Sequence, residues 1–383
     1  MARALYIHWP FCLAKCPYCD FNSHVRDSVD AQLWERALLA DMRHEAQLAG
    51  GERLTSIFFG GGTPSLMPPA LVARLLDEAA RLWGFAPDIE ITLEANPSSV
   101  EAANFAALAT CGVNRVSLGV QSLNDAALRF LGRLHDVAEA LKAIETAQNA
   151  FARVSFDLIY ALPGQTTPIW QNELAHALGL GTAHLSLYQL TIEEGTRFAS
   201  DVRRGDFTPL DDDSAADLFA VTAQLTRAAG LPAYEVSNHA APGEESRHNL
   251  TYWRYQDYAG IGPGAHGRRG GMATRRHRKP ENWLAAVERN GHGVQEERAL
   301  GAKEQAAEAL LMGLRLREGV ALPALARRLG LDDHALVNAA AISRYQAAGL
   351  IWQNAERIGA TAQAMPVLDA LLADIVADDL VSP

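Results

Sequence analysis

Ala4-Leu5-Tyr6-Ile7-His8-Trp9-Pro10-Phe11-Cys12-Leu13-Ala14-Lys15-Cys16-Pro17-Tyr18-Cys19 runs from an apolar segment into three closely spaced thiols. Ala4–Trp9 is aliphatic and aromatic, the composition of a buried strand. Five more segments read the same way: Leu54–Phe59, Ile89–Glu94, Arg115–Val120, Val154–Tyr160 and His184–Leu190. Helix-period stretches separate them, at Ala31–Leu48, Pro69–Trp83, Val100–Thr110, Val137–Asn149 and Pro168–Leu178. Pro69 and Pro168 stand at first-turn positions, where a missing N–H costs nothing. Regular strand–helix alternation predicts βαβ units and a parallel sheet. Six units fall short of the eight that close a barrel. The expected fold is an open, partial (β/α)6 TIM-like barrel, with a doubly wound sheet as the alternative.

After Leu190 the alternation loosens. A helix is expected at Asp213–Ala229 and a short strand at Ala233–Val236, followed by a Gly-rich and then Arg-rich stretch from Gly260 to Lys279. From Ala302 the chain is helix-heavy, with helices expected at Glu304–Leu316, Leu322–Leu329 and Asp333–Ala348. A turn and strand at Gly349–Trp352 follow, with another short strand at Ile358–Thr361. The sequence thus divides into a barrel over residues 1–240, a connecting segment over 241–300, and a small winged-helix-like helical domain over 301–383 with a packing or lid role.

The 383 residues carry 34 Lys and Arg against 45 Asp and Glu, a net charge of −11. That acidity argues against nucleic acid as a partner, since such binding needs a basic surface. Half the residues are apolar, enough for a sizeable core. No apolar run reaches the length of a membrane span, and no secretory leader pattern stands at residues 1–11. The expected location is the cytoplasm.

The strand ends collect the polar and special residues. In order they offer the cysteines, Gly60-Gly61-Gly62-Thr63-Pro64, Glu94 with Asn96, Gln121-Ser122, Asp157 with Leu162-Pro163-Gly164, and Tyr188-Gln189. In parallel barrels chemistry gathers at this edge, so one shared pocket is expected. Cys12, Cys16 and Cys19 make a C-x3-C-x2-C set, while Cys111 stands apart as a small core residue at a helix end. Three thiolates on a [4Fe–4S] cube leave one iron open to a small molecule. Structural zinc, with His8 or His24 as fourth ligand, is the competing reading, though the spacing departs from paired zinc motifs. Gly60–Thr63 matches neither G-x-G-x-x-G nor a P-loop; it suits close ligand approach and a tight βα turn equally. Glu94 could pair with an ammonium group in the pocket.

Together, Tyr6–Cys12, the cysteine triplet, Gly60–Pro64, Gly119-Val120-Gln121-Ser122 and Asp157-Leu158-Ile159-Tyr160 resemble the radical S-adenosylmethionine (SAM) superfamily, in its coproporphyrinogen III oxidase-like branch. The resemblance covers nearly the whole chain and implies a partial barrel holding a [4Fe–4S] cluster on Cys12, Cys16 and Cys19. It further implies that the open iron chelates SAM and that the reduced cluster cleaves it to a 5′-deoxyadenosyl radical. Matched motif by motif, Tyr6, Gly61 and Glu94 would hold the SAM. Tyr18, Gly62, Thr63, Gln121, Arg133, Asp157, Gln189 and His266 match positions lining the oxidase pocket.

The branch holds an oxidase, which decarboxylates coproporphyrinogen III, and a sibling family of haem chaperones. The oxidase carries a fourth cysteine where this chain has Phe21; the chaperones carry Cys-Asp-Phe and a His-Asn-x-x-Tyr-Trp motif, here Cys19-Asp20-Phe21 and His248-Asn249-Leu250-Thr251-Tyr252-Trp253. The resemblance therefore points to a haem chaperone, with haem as cargo and haem-accepting, respiratory proteins as partners. An electron donor, a peripheral contact with a membrane and a homodimer are compatible with it. His248, Asn249, Tyr252 and Trp253 become candidate haem residues, because imidazole ligates haem iron and aromatic rings cover its flat face. Without the family, the same residues read as a packed loop. Arg268-Arg269 and Arg275-Arg276-His277-Arg278-Lys279 read as a solvated, mobile loop, with haem propionates or an acidic partner as the other reading.

Overall fold

The computed structural model describes residues 3–26, 28–49 and 51–381. Its six expected parallel strands are all present: β1 (Ala4–Trp9), β2 (Leu54–Gly61), β3 (Phe85–Ala95), β4 (Arg115–Gln121), β5 (Arg153–Tyr160) and β6 (His184–Gln189). Between them lie α1 (Ala31–Ala49), α2 (Pro69–Trp83), α3 (Phe105–Thr110), α4 (Val137–Ala150) and α5 (Thr167–Gly179), with α6 (Asp212–Ala228) after β6. Local chemistry fixes the helix starts. Pro69 opens α2 at a first-turn position, and Asp136 and Glu139 form a reciprocal capping box on α4.

The sheet continues beyond these six strands. After β7 (Asn238–Ala240) and the short helix α7 (Arg247–Trp253) come β8 (Tyr258–Ile261), β9 (His266–Arg269) and β10 (Met272–Arg276). Then follow α8 (Pro280–Asn290) and β11 (Val294–Ala299). The order is β11-β10-β9-β8-β1-β2-β3-β4-β5-β6-β7. From β8 to β6 every pair is parallel; β7 at one end and β9, β10 and β11 at the other run antiparallel. The partial barrel is thus present and wider than six units. β1 lies inside it, so Leu5 and Ile7 are fully buried, at roughly 1.5–3 kcal/mol each.

Four local expectations need correction. The Arg-rich stretch is not a mobile loop but the hairpin β9–β10, and Arg268, Arg269 and Arg276 are buried. For Arg269 and Arg276 the reason lies far off in sequence. Asp41 and Glu45 of α1 are fully buried and accept from Arg276, while Glu45 also takes Arg269. The expected strand at Ala233–Val236 folds as a turn: Tyr234 N donates to Asn238 O, Ala233 bridges His239, and β7 pairs with β6 instead. The expected helix Val100–Thr110 breaks between Ser99–Ala102 and α3, because Glu101 is drawn into the sheet edge by Ser65 and the Asn96 N–H. Cys111 is half-buried rather than core, its thiol donating to Pro69 O at 3.3 Å.

A second apolar core belongs to the C-terminal part, where α9 (Ala302–Gly313), α10 (Leu322–Leu329) and α11 (Ala339–Ala347) precede the hairpin β12 (Ile351–Gln353)–β13 (Ile358–Ala360). A further helix, α12 (Leu368–Ile375), closes this core with Leu368, Leu371, Leu372 and Ile375, and had no counterpart in the sequence reading. Among the described residues no helix is long and apolar enough to cross a membrane.

Candidate functional site

The cysteine loop leaves the C-terminal end of β1 and is pinned at both ends. Phe11–Cys12 pairs in parallel with His24–Val25, and His24 N donates to Pro10 O at 2.7 Å. Pro17 O accepts from Phe198 N at 2.9 Å, which ties the loop to the segment after β6. Cys12, Cys16 and Cys19 are free, half-buried and line one pocket. Cys12 Sγ accepts from Thr63 Oγ1 at 3.5 Å, and Cys16 Sγ from Arg133 Nη1 at 3.2 Å. Burial pushes the Cys12 and Cys19 thiols above their ordinary range, so a cationic partner is needed to hold thiolates there.

The donor set fits a cluster better than a single ion. Thiolates on one zinc ion, with bonds of about 2.3 Å, sit roughly 3.8 Å apart. Among the described residues, three metal-ligating groups approach within 4.8 Å of one another only at Asp332, Asp333 and His334; the cysteines are not such a group. Sulfurs on different irons of a cube are spread wider. His8 offers zinc nothing either, because both its ring nitrogens are engaged: Nδ1 accepts from Tyr6 Oη at 2.9 Å and Nε2 donates to Asn22 O at 2.9 Å. Burial holds that ring neutral, its pKa lowered to about 4. His24 does not line the pocket.

The glycine run packs first against the protein itself. A side chain on Gly61 would meet the His8 ring at 2.5 Å, and one on Gly62 would meet Phe11 O at 2.7 Å. Gly61 also has φ +117°, a conformation L side chains rarely adopt. These glycines let β2 close onto the cysteine loop, and Gly61, Gly62 and Thr63 still line the pocket. Gly61 N donates to Glu94 Oε2 at 3.2 Å.

Glu94 and Asp157 give the pocket its charge. Burial, then the nearby Asp157, raise Glu94 to about 8; burial raises Asp157 to about 6 despite the hydroxyls of Ser186 and Ser117. Two half-buried carboxylates raised in this way form a receptor for an ammonium or another positive group. Opposite them Arg133 donates to Asn96 Oδ1 at 2.6 Å and Gly119 O at 2.9 Å, and lies 3.4 Å from Tyr18 Oη. Gln121 lines the same pocket with φ +71°, a strained backbone for glutamine.

A second, larger cavity of about 630 Å³ adjoins the first and shares Phe21, Gly61 and Glu94 with it. Tyr6, His8, Tyr252, Tyr258, His266, Arg275 and Arg278 are among its other walls. Tyr6 and His266 therefore lie in this cavity and not among the cysteines. Partial burial first, then Arg275, Arg278 and Arg276, lower the His266 pKa. Gln189 lines neither volume; its amide donates to Ala215 O of α6 at 2.7 Å.

The His-Asn-x-x-Tyr-Trp motif forms α7 and divides between two faces. His248 and Tyr252, four apart, lie on one side of the helix, and Tyr252 reaches the cavity wall. His248 is buried behind it, stacked on Phe58 with centroids 5.1 Å apart. Its Nε2 is 2.6 Å from Tyr252 Oη and its Nδ1 3.1 Å from Ser56 Oγ, so both ring nitrogens are engaged. Burial lowers its pKa to about 3. Asn249 reaches Tyr234. Trp253 faces away, into a groove of about 370 Å³ shared with Leu316, Val320 and Leu325.

Asn96, expected at the shared strand-end edge, ties Thr63 to Arg133. Sequence reasoning missed Asn22. Asn22 donates to Pro263 O and Arg278 O, contacts across more than 240 residues that no local pattern shows.

A family model described as the radical SAM superfamily matches residues 6–170, and one described as the HemN C-terminal domain matches residues 300–367. The radical SAM domain-containing protein 1, mitochondrial, of Mus musculus is 42% identical over 326 residues, 83% of this chain and 74% of its own. The heme chaperone HemW of Escherichia coli (strain K12) is 45% identical over 267 residues, 69% of this chain and 70% of its own. That of Mycobacterium tuberculosis (strain H37Rv) is 35% identical over 372 residues, 96% and 93%. The solved coproporphyrinogen III oxidase HemN of Escherichia coli superposes with a TM-score of 0.82 at 22% identity, over 97% of this chain and 89% of that one, a likeness of fold. By the identity and extent of these matches, the chain belongs to the HemW family of haem chaperones within the radical SAM superfamily.

Proposed function

We propose that this protein binds haem beside a [4Fe–4S] cluster and SAM, and hands the haem to haem-requiring acceptors. The observation that carries the reading is the wall of Phe21, Gly61 and Glu94 shared by the cysteine pocket and the larger cavity. Cys12, Cys16 and Cys19 hold the cluster; Gly61, Gly62, Thr63 and Glu94 flank the SAM position, with Tyr18, Gln121, Arg133 and Asp157 around it. Bound there, the cluster and SAM supply a one-electron reductive chemistry. The chain's own part is positional. Glu94 offers a carboxylate to the ligand's amino group, Arg133 balances a thiolate, and His8, locked by Tyr6 and Asn22, supports the shared wall. We divide the chain into a barrel over 1–240, a connecting segment over 241–300 whose strands extend the same sheet, and a C-terminal domain over 301–383.

The test is an anaerobic haemin titration of cluster-reconstituted protein, followed in the Soret region. Saturable one-to-one binding is expected. Cys12→Ser, Cys16→Ser and Cys19→Ser each abolish the cluster absorbance, while Cys111→Ser leaves it unchanged. Formation of protoporphyrinogen from coproporphyrinogen, with SAM and reductant, would instead establish the oxidase.

A further inference from the structure

The chain has 12 histidines, and the large cavity selects among them. Two line it, His8 and His266, and a third, His248, stands behind the Tyr252 wall. An imidazole can bind iron only through a ring nitrogen that is free and within reach. His8 fails on both nitrogens, and its ring is wedged against Gly61. His248 fails on both nitrogens and is 1% exposed. His266 is exposed on the cavity wall, and neither of its ring nitrogens has a hydrogen-bond partner among the described residues.

Its surroundings point the same way. In the β9–β10 hairpin His266 stands directly opposite Arg275, so the two side chains leave the same face of the sheet. Arg276, next along, points to the other face and is locked to Asp41 and Glu45. Arg275 has one exposed ion pair, to Glu296 at 2.7 Å, and its buried Nε has no partner. The exposed Arg278 guanidinium makes no ion pair among the described residues, while its backbone carbonyl is held by Asn22. Tyr252 and Tyr258 supply aromatic surface beside these groups. The cavity therefore presents a free imidazole, two guanidiniums and flat apolar walls. Haem presents an iron with axial sites, two carboxylates and a flat apolar face.

We propose that His266 is the axial iron ligand of haem in this cavity and that Arg275 and Arg278 bind its two propionates, with His248 positioning Tyr252 in the wall. This assignment rests on the haem reading above.

The experiment is a titration with haemin and with haemin dimethyl ester, whose carboxylates are capped. It compares wild type, His266→Ala, His248→Ala and the Arg275→Ala/Arg278→Ala pair, all cluster-reconstituted and checked for unchanged melting. His266→Ala is expected to lose the imidazole-ligated Soret and electron-paramagnetic signature, with free imidazole restoring it. His248→Ala keeps that signature. The arginine pair binds haemin at least roughly tenfold more weakly, as expected for lost charge-assisted hydrogen bonds, yet binds the ester as wild type does. An unchanged spectrum in His266→Ala overturns the ligand assignment. So does loss of the imidazole signature in a His248→Ala protein that melts normally. Equal, weak haemin binding by all four proteins overturns the site while leaving haem binding in place. Absence of saturable haemin binding by wild type overturns the haem reading itself.

Discussion

Replacing Arg276 by alanine separates a structural strand from a mobile loop by a margin that equilibrium unfolding resolves. The Arg276 side chain is fully buried, with Nη2 2.5 Å from Glu45 Oε2 and Nε 3.4 Å from Asp41 Oδ2. Asp41 also accepts from Gly262 N, Gly293 N and Trp283 Nε1, so it is the knot joining α1 to the β8–β9 turn and to α8. Removing the guanidinium leaves two buried carboxylates with one remaining cation, Arg269. Breaking such a pair from one side costs about 3–5 kcal/mol. Arg275→Ala is the same chemical change one residue away, at a side chain 43% exposed and paired with an equally exposed Glu296. A pair of that kind contributes about 0–1 kcal/mol. The two variants should thus differ by roughly 3 kcal/mol, about a hundredfold in the folding equilibrium. Adding Glu45→Gln to Arg276→Ala should return part of the loss, since it removes an uncompensated charge. Urea unfolding of the cluster-free chain, read by circular dichroism, gives the comparison. Equal midpoints for Arg275→Ala and Arg276→Ala would refute the alternation of faces along β10.

Three further outcomes follow from the site. Glu94 is raised to about 8 and Asp157 to about 6, so the cluster-free folded chain keeps protons that unfolded carboxylates have released above about pH 4. Folding then takes up protons, and stability falls as pH rises from about 4 to 8, by up to roughly 1.4 kcal/mol per unit and group. Glu94→Gln should flatten the upper part of that slope in pH-dependent melting, and an unchanged slope counts against the burial argument. Gly61→Ala should destabilise by about 1–3 kcal/mol from its φ alone, with the His8 clash in addition. Joining it to His8→Ala should relieve the clash and leave the backbone cost, a double-mutant cycle that fails if the effects simply add. Trp253→Ala should lower the melting temperature without changing the haemin spectrum, because Trp253 faces the groove against the C-terminal core; a changed spectrum would place the cargo there.

The six parallel strands were legible because each is largely buried on both faces and so is rich in β-branched and aliphatic residues. The strand-end edge was legible for a related reason: polar, glycine and cysteine residues had nowhere else to stand in such a sheet. What escaped were elements whose identity depends on distant partners. β9 and β10 carry four arginines in nine described strand positions, and local composition reads that as solvent-exposed chain. Two of them, Arg269 and Arg276, are buried against Asp41 and Glu45 of α1, more than 220 residues earlier. The helix α12 was missed for want of a clear start signal; its N-cap position, Val367, has no capping side chain.

The same distance dependence governs the motif that drew most attention in the sequence. His248 looked like a ligand because imidazole binds iron, and that chemistry belongs to the residue type. Whether the nitrogen is available belongs to the neighbours, and Ser56 and Tyr252 occupy both. His266 was singled out only by its match to the oxidase pocket, with no haem signal of its own. The hairpin turns it to the cavity, and β10 places Arg275 across from it. Phe21 makes the complementary point. Where the oxidase has a further cysteine, this chain sets an exposed ring on the wall between the thiol pocket and the larger cavity. A phenyl ring there cannot ligate a metal, but it adds flat apolar surface at the boundary a planar cargo would meet. The sequence difference that separates the two branches is therefore also a difference in the lining of one cavity, and that lining suits the macrocycle of the proposed function.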